Sequence, residues 1–172
     1  MAESAKRTGE LLAILEQRGL YLAVAESITG GALTAALTSI AGSSKVVLGG
    51  VVAYQTSLKH KLLGVSQQLL QTNGAVDPEV ALQMAVGVRS KLAKATGTAE
   101  AQVVGVATTG VAGPTIQDGK AVGTVFVAIA GFLDSQEFQV VSAHMLTGTR
   151  QEVQSEAVKT AINQLREHFL AN

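Results

Sequence analysis

Apolar residues recur along the chain in two rhythms. In TGELLAILEQRG, Leu11, Leu12 and Leu15 fall on one face and Gly19 punctuates the end, so the spacing predicts a helix over 8–19. The next run, LYLAVA (20–25), is short, apolar and unbroken, and predicts a buried strand. Helical spacing resumes in GALTAALTSI through Leu33, Leu37 and Ile40. VVLGGVVAY (46–54) predicts a second strand, bent or bulged at Gly49 and Gly50, and LKHKLLG (58–64) a short helix. A clear helix start follows at Asp77, with Pro78 at the first helical position, Glu79 in the first turn and an apolar stripe of Val80, Met84, Val88 and Leu92. AQVVGVAT (101–108) predicts a third buried strand, followed by a long glycine-rich loop. VGTVFVAIAG and QEFQVVSAHML predict two adjacent strands. A capping box, Thr149 with Glu152, opens a last helix with Val153, Ala157, Ala161, Leu165 and Phe169 down one side. Strands alternate with helices through the first two thirds, and then two strands come in succession. That order predicts an α/β sandwich with a mostly parallel sheet and one antiparallel member.

Composition narrows this reading. At 172 residues the chain has the size of one domain, and its 47% hydrophobic content argues against disorder. With 3% aromatics and no Trp, the core has to be built from Ala, Val, Leu and Ile. Thirteen basic residues balance thirteen acidic ones and no basic stripe stands out, which argues against a nucleic-acid surface. The absence of Cys removes disulfides and thiolate metal sites. MAESAKRTGE lacks the apolar core of a secretory signal, and no apolar run reaches membrane-spanning length, so a cytoplasmic protein without membrane partners is the expectation.

Two segments concentrate hydroxyls and glycines. ESITGG (26–31) lies between a buried strand and a helix start, where open α/β sheets bind ligands and where helix N–H groups are unpaired. Ser27 and Thr29 either present hydroxyls to a ligand there, or Thr29 caps the helix and Ser27 fills a turn. ATTGVAGPTIQDG (107–119) repeats the character with Thr108, Thr109, Gly110, Gly113 and Pro114. His60, His144 and His168 are too scattered for a metal set, and no G-x-S-x-G elbow supports a serine–histidine triad. A lysine is the other base available to a serine, and Lys59 and Lys61 both stand just beyond Tyr54.

AESITGG, GSSKVVLGGVVAYQTSLKHKLLGV, GAVDPEVALQMAVGVRSKL, TGVAGP, AVGTVFVAI and GTRQEVQSEAV occur in that order, from about residue 8 to 170. Together they resemble the CinA C-terminal domain family, whose stand-alone members are nicotinamide mononucleotide deamidases. The resemblance implies a three-layer α/β/α sandwich with a mixed, mostly parallel sheet. It implies hydrolysis of the carboxamide of nicotinamide mononucleotide without metal or cofactor, in pyridine-nucleotide salvage. It places the catalytic serine at Ser27, the lysine at Lys59 rather than Lys61, and supporting groups at Tyr54 and Thr109. Glu26, Thr29, Gly30, Gly31, Thr108, Gly110 and Arg150 become the expected substrate contacts, with Arg150 on the 5′-phosphate. Backbone N–H groups near Gly30, Gly31 or Gly110 are expected to hold the oxyanion. Glu26 is left between two roles, fixing its loop through backbone N–H groups or holding a ribose hydroxyl. One domain over 1–172 and a homo-oligomer are further expectations. The chain departs from the family pattern at Ile28, where Cys is usual, in YQTSLK for YSNEAK, in GPTIQDGKAVG with Ala121 for Pro, and in GTR for GDR.

Overall fold

The structure, a computed structural model, describes residues 2–172. Its elements are α1 (Ala2–Gln17), β1 (Tyr21–Glu26), α2 (Ala32–Thr38), β2 (Val47–Val52), α3 (Thr56–Leu63), α4 (Gln67–Asn73), α5 (Pro78–Thr96), β3 (Val103–Gly110), β4 (Thr124–Leu133), β5 (Gln136–Met145) and α6 (Arg150–Ala171), with short 3₁₀ turns at Ser43–Lys45 and Glu100–Gln102. The strands form one sheet in the order β2-β1-β3-β4-β5. β1 is parallel to both β2 and β3, β4 is antiparallel to β3, and β5 is antiparallel to β4. Four strands therefore run one way and only β4 is reversed, as the element order predicts.

The alternation of each strand sorts the core into two layers. Leu22 and Val24 of β1, Val104 and Val106 of β3, and Val125, Val127 and Ile129 of β4 pack with the apolar faces of α1, α2 and α6. Ala23, Ala25, Ala107, Ala128 and Ala130 face α5 and the end of α3. The second face is lined by small residues because α5 lies against it at backbone distance. A Cβ on Gly105 would stand 2.0 Å from the Ala85 carbonyl oxygen, so that position has no room for a side chain. Helices on both faces make the three-layer sandwich. Among the described residues, no helix is long and apolar enough to cross a membrane.

Three local differences from the sequence reading have physical causes. α1 starts at Ala2 rather than near Thr8, since AESAKR is made mostly of good helix formers without the apolar positions that reveal periodicity; the Arg7–Glu3 pair supports that turn. α4 was not expected, because QQLLQTN carries only two adjacent Leu; Ser66 caps it and Leu70 is buried. β3 continues past the predicted end at Thr108 to Gly110, so Thr109 and Gly110 are strand rather than loop, held by pairing with Phe126 and Val125. The expected irregularity in β2 is present as a register shift: Leu22 pairs with Val47 while Ala23 pairs with Gly49.

Candidate active site

The C-terminal ends of β2, β1 and β3 lie side by side. The chain leaves β1 toward β2 through α2, on one face of the sheet, and leaves β2 toward β3 through α3–α5, on the other. Divergent connections of this kind open a crevice beyond the strand ends. The turn after β1, the start of α3, the strap 111–123 after β3 and the start of α6 meet there around an open cleft of about 460 Å³.

β1 ends in a carboxylate, and that carboxylate builds the turn. Glu26 is fully buried. Its Oε2 accepts from the Gly31 and Leu33 amides at 2.9 and 3.0 Å, and its Oε1 accepts from the Thr34 amide at 2.8 Å and from the Thr34 hydroxyl. The free N–H groups of α2 are thus satisfied by an acid from the preceding strand, which suits the positive helix end. Of the two roles open to Glu26, the geometry matches the first: its oxygens face the helix, not the cleft. Thr29 is not the cap either. Its hydroxyl is buried 2.8 Å from that of Thr108, and the two join β1's turn to β3. Gly30 and Gly31 supply the positive φ, 60° and 104°, that turns the chain into α2. None of Glu26, Thr29, Thr108, Gly30 or Gly31 lines the cleft. The Gly30 amide donates to the Ser27 carbonyl and the Gly31 amide to Glu26, so neither is left for an oxyanion.

Ser27, the residue after this anchor, does line the cleft. Its amide donates to the Thr108 carbonyl at 3.0 Å. Its hydroxyl oxygen lies 2.9 Å from Lys59 Nζ. Lys59 sits on the inner side of α3 with 0% exposure, whereas Lys61, two residues on, points to solvent. Nζ also donates to the Ala53 carbonyl at 2.8 Å and to the Tyr54 carbonyl at 3.4 Å. Among the described residues no carboxylate is in salt-bridge distance of it. Burial therefore dominates and lowers the lysine to about 8, with the charge of Asp118 pulling the other way. A neutral amine fits this cage: two N–H groups meet the two carbonyls and the lone pair meets the serine O–H.

The remaining candidates divide between wall and rim. The Thr109 hydroxyl is buried and donates to the Ala75 carbonyl at 2.7 Å, fastening β3 to the connector before α5. Gly110 has no room for a side chain, because a Cβ would stand 2.5 Å from the Thr124 carbonyl oxygen and 2.9 Å from Ile28 Cδ1. Thr108 accepts from Ser27 on the β1 side of β3, while Val111 donates to Thr124 on the β4 side. Strand alternation then turns the Gly110 N–H to the β1 side, one step past the last pair, Glu26–Thr108, and beside Ser27. Tyr54 is 56% exposed at the rim, and its hydroxyl accepts from Arg150 Nη2 at 2.7 Å rather than meeting Ser27 or Lys59. Arg150 Nη1 donates to the Gly113 carbonyl at 2.7 Å, so the guanidinium spans the rim. Glu152 does not pair with it: the Glu152 carboxylate accepts from the Thr149 amide and hydroxyl in the capping box, which holds it below the usual glutamate range.

Sequence reasoning missed the cleft wall contributed by Ala75 and Val76, whose only signal was their closeness to the Asp77 cap. It also missed Gln154, which donates to the Ile28 carbonyl at 2.9 Å and props the turn from α6. Among the described residues, no three His, Asp or Glu side chains gather as a metal-ligand set.

A family model described as CinA C-terminal domain matches residues 4–169. The chain is 42% identical over 158 residues to a CinA-like protein of Frankia casuarinae and 44% identical over 161 residues to one of Rippkaea orientalis. These matches take in 92% and 91% of the chain but only 34% and 36% of the relatives, so it spans about a third of their length. Among solved structures, a competence-damaged protein (CinA) superfamily protein from Klebsiella pneumoniae superposes with a TM-score of 0.85 at 28% identity, covering 98% of this chain and 99% of that one. The competence/damage inducible protein CihA from Agrobacterium tumefaciens gives 0.81 at 33% identity, covering 94% and 93%.

Proposed function

The chain belongs to the CinA C-terminal domain family, and on that premise we propose that it is an amidohydrolase that converts nicotinamide mononucleotide to nicotinate mononucleotide and ammonia through Ser27 and Lys59. The observation that carries this reading is the contact between Ser27 Oγ and a fully buried lysine amine that has no carboxylate partner. A nucleophilic hydroxyl needs a base within hydrogen-bond reach, and a lysine serves only when desolvation makes it neutral near working pH. The choice of nicotinamide mononucleotide follows the motif resemblance; the chemistry follows the pair.

Ser27 passes its proton to Lys59 as its oxygen attacks the carboxamide carbon. The oxyanion that forms takes a hydrogen bond from the Gly110 amide, the one of the three glycine amides not already committed. The lysine then returns the proton to the departing nitrogen and ammonia leaves. Water attacks the resulting ester while Lys59 accepts its proton, and transfer of that proton to Ser27 Oγ frees nicotinate mononucleotide. Arg150 at the rim offers a planar fork to the 5′-phosphate, exchanging its bonds to Gly113 and Tyr54 for an anion. Tyr54 contributes its carbonyl to the lysine cage and its hydroxyl to Arg150.

The test is incubation of the purified chain with nicotinamide mononucleotide, measuring ammonia and nicotinate mononucleotide together. Equal amounts of both products are expected. Saturable binding without either product would replace this reading with that of a pyridine-nucleotide-binding module.

A further inference from the structure

We propose that Asp118 is a positioning residue of this site: it latches the strap 111–123 onto the connector 74–76 and so fixes the cleft wall opposite Ser27. The proposal rests on the Ser27–Lys59 reading for its catalytic consequence, though not for the latch itself. Nothing in the sequence marks this acid, which stands in a polar loop between two unremarkable residues, Gln117 and Gly119.

The latch is built from three parts. Asp118 Oδ2 accepts from the Ala75 amide at 2.9 Å. The Ala75 carbonyl accepts from the Thr109 hydroxyl at 2.7 Å, so a single residue of the connector is tied to the strap on one side and to β3 on the other. Gly74 makes the seat. A Cβ there would stand 2.5 Å from Cβ, Cγ and Oδ2 of Asp118, and its φ of +78° with ψ of −173° is a backbone state essentially confined to glycine. Ala75 and Val76 line the cleft together with Thr115, Ile116 and Gln117 of the strap. Among the described residues no other hydrogen bond joins the connector to the strap's outer half, which is tied internally by the Gln117–Lys120 bridge.

Asp118 also acts on the lysine through its charge. The groups around Lys59 Nζ are the Ser27 hydroxyl from the β1 turn and the carbonyls of Ala53 and Tyr54 from the β2–α3 link. Of the charged residues on the elements around the cleft, Asp77 is committed to the Glu79 and Val80 amides and to Asn73, and Arg150 to Gly113 and Tyr54. Asp118 is the acid whose charge favours the protonated lysine. Removing that charge makes the neutral base easier to reach.

Two variants separate the functions. Asp118→Asn keeps an acceptor for the Ala75 amide and deletes the charge. It is expected to move the acid limb of the kcat/KM–pH profile to lower pH, which mere loosening of a loop would not do. Asp118→Ala deletes the latch and is expected to raise hydrogen exchange at the Ala75 amide by roughly two- to tenfold, allowing for the exposure of the aspartate. Gly74→Ala, whose methyl crowds an otherwise unaltered Asp118 out of its seat, should raise the same exchange rate. The exchange measurement needs no substrate, so absence of amidase activity would sink the catalytic reading and leave the latch testable. An unmoved acid limb in Asp118→Asn, or unchanged Ala75 exchange in both other variants, would overturn the proposal.

Discussion

Replacing Glu26 with Gln is the sharpest perturbation of the scaffold beneath the proposed nucleophile. The native carboxylate accepts four bonds, from three backbone amides and one hydroxyl, while fully buried. A glutamine keeps one acceptor oxygen, enough for the donors on one side, and points an NH₂ group at the donors on the other. Two bonds to a charged group are lost, at about 1.5–3 kcal/mol each, so the cost is about 3–6 kcal/mol. Domains of this kind hold about 5–15 kcal/mol of stability, and at this chain length each kcal/mol moves Tm by about 2–4 °C. Glu26→Gln should therefore lower Tm by roughly 6–24 °C without ligand, read by circular dichroism, with a matching fall in the urea midpoint. The rate should fall too, because Ser27 is the next residue. A variant within about 2 °C of wild type that loses only substrate affinity would refute the capping role and return Glu26 to the ribose.

Gly110→Ala should destabilise the chain by about 1–3 kcal/mol in the absence of any ligand, because the new methyl meets the Thr124 carbonyl and Ile28; thermal unfolding of the apo protein checks this. Arg150→Ala should weaken nicotinamide mononucleotide by about ten- to a hundredfold while leaving the phosphate-free riboside nearly unaffected, measured by calorimetry on both. His168 packs 4.4 Å from Phe138 with its Nε2 buried and unpaired, and burial with the nearby Arg18 charge holds it below its ordinary value of 6.5. The unfolded chain then binds the proton more readily, so stability is full above about pH 6.5 and falls as pH drops from there toward the folded value. Urea midpoints at pH 7.5 and 5.5 should show that fall in wild type and a smaller one in His168→Phe.

The layers of the fold were readable because the sheet is built from unbroken Val and Ala runs and the long helices carry regular apolar stripes. Asp77 and the Thr149–Glu152 box marked two helix starts at the residue, since capping chemistry is local. α4 escaped because two adjacent Leu define no period, and the end of β3 escaped because Thr109-Gly110 reads as loop until β4 pairs with it. In the site, the hydroxyl and the lysine were each visible as types. Their meeting depends on β1 and β2 being parallel neighbours, so that residues 32 positions apart come to 2.9 Å. The choice of Lys59 over Lys61 rested on motif resemblance in the sequence and has an independent physical basis in burial. Helix geometry turns Lys59 inward with Leu63 and Lys61 outward. Glu26 and Thr29 illustrate the reverse: polar residues in a promising turn whose side chains are consumed by building it. Asp118 could not be read at all, since a loop acid acquires a partner only through tertiary contact.

In the proposed reaction Ser27 attacks and Lys59, neutral, takes its proton. This step is tested most directly by measuring kcat/KM for ammonia release from nicotinamide mononucleotide across pH in wild type, Ser27→Ala and Lys59→Arg, each shown to be folded. Wild-type activity should rise with pH through about 8, where the buried lysine loses its proton. Both variants should fall by roughly a thousandfold or more, because neither retains a nucleophile with a usable base. A Ser27→Ala protein within about tenfold of wild type, or a wild-type rate that declines as pH rises toward 8, would contradict the account.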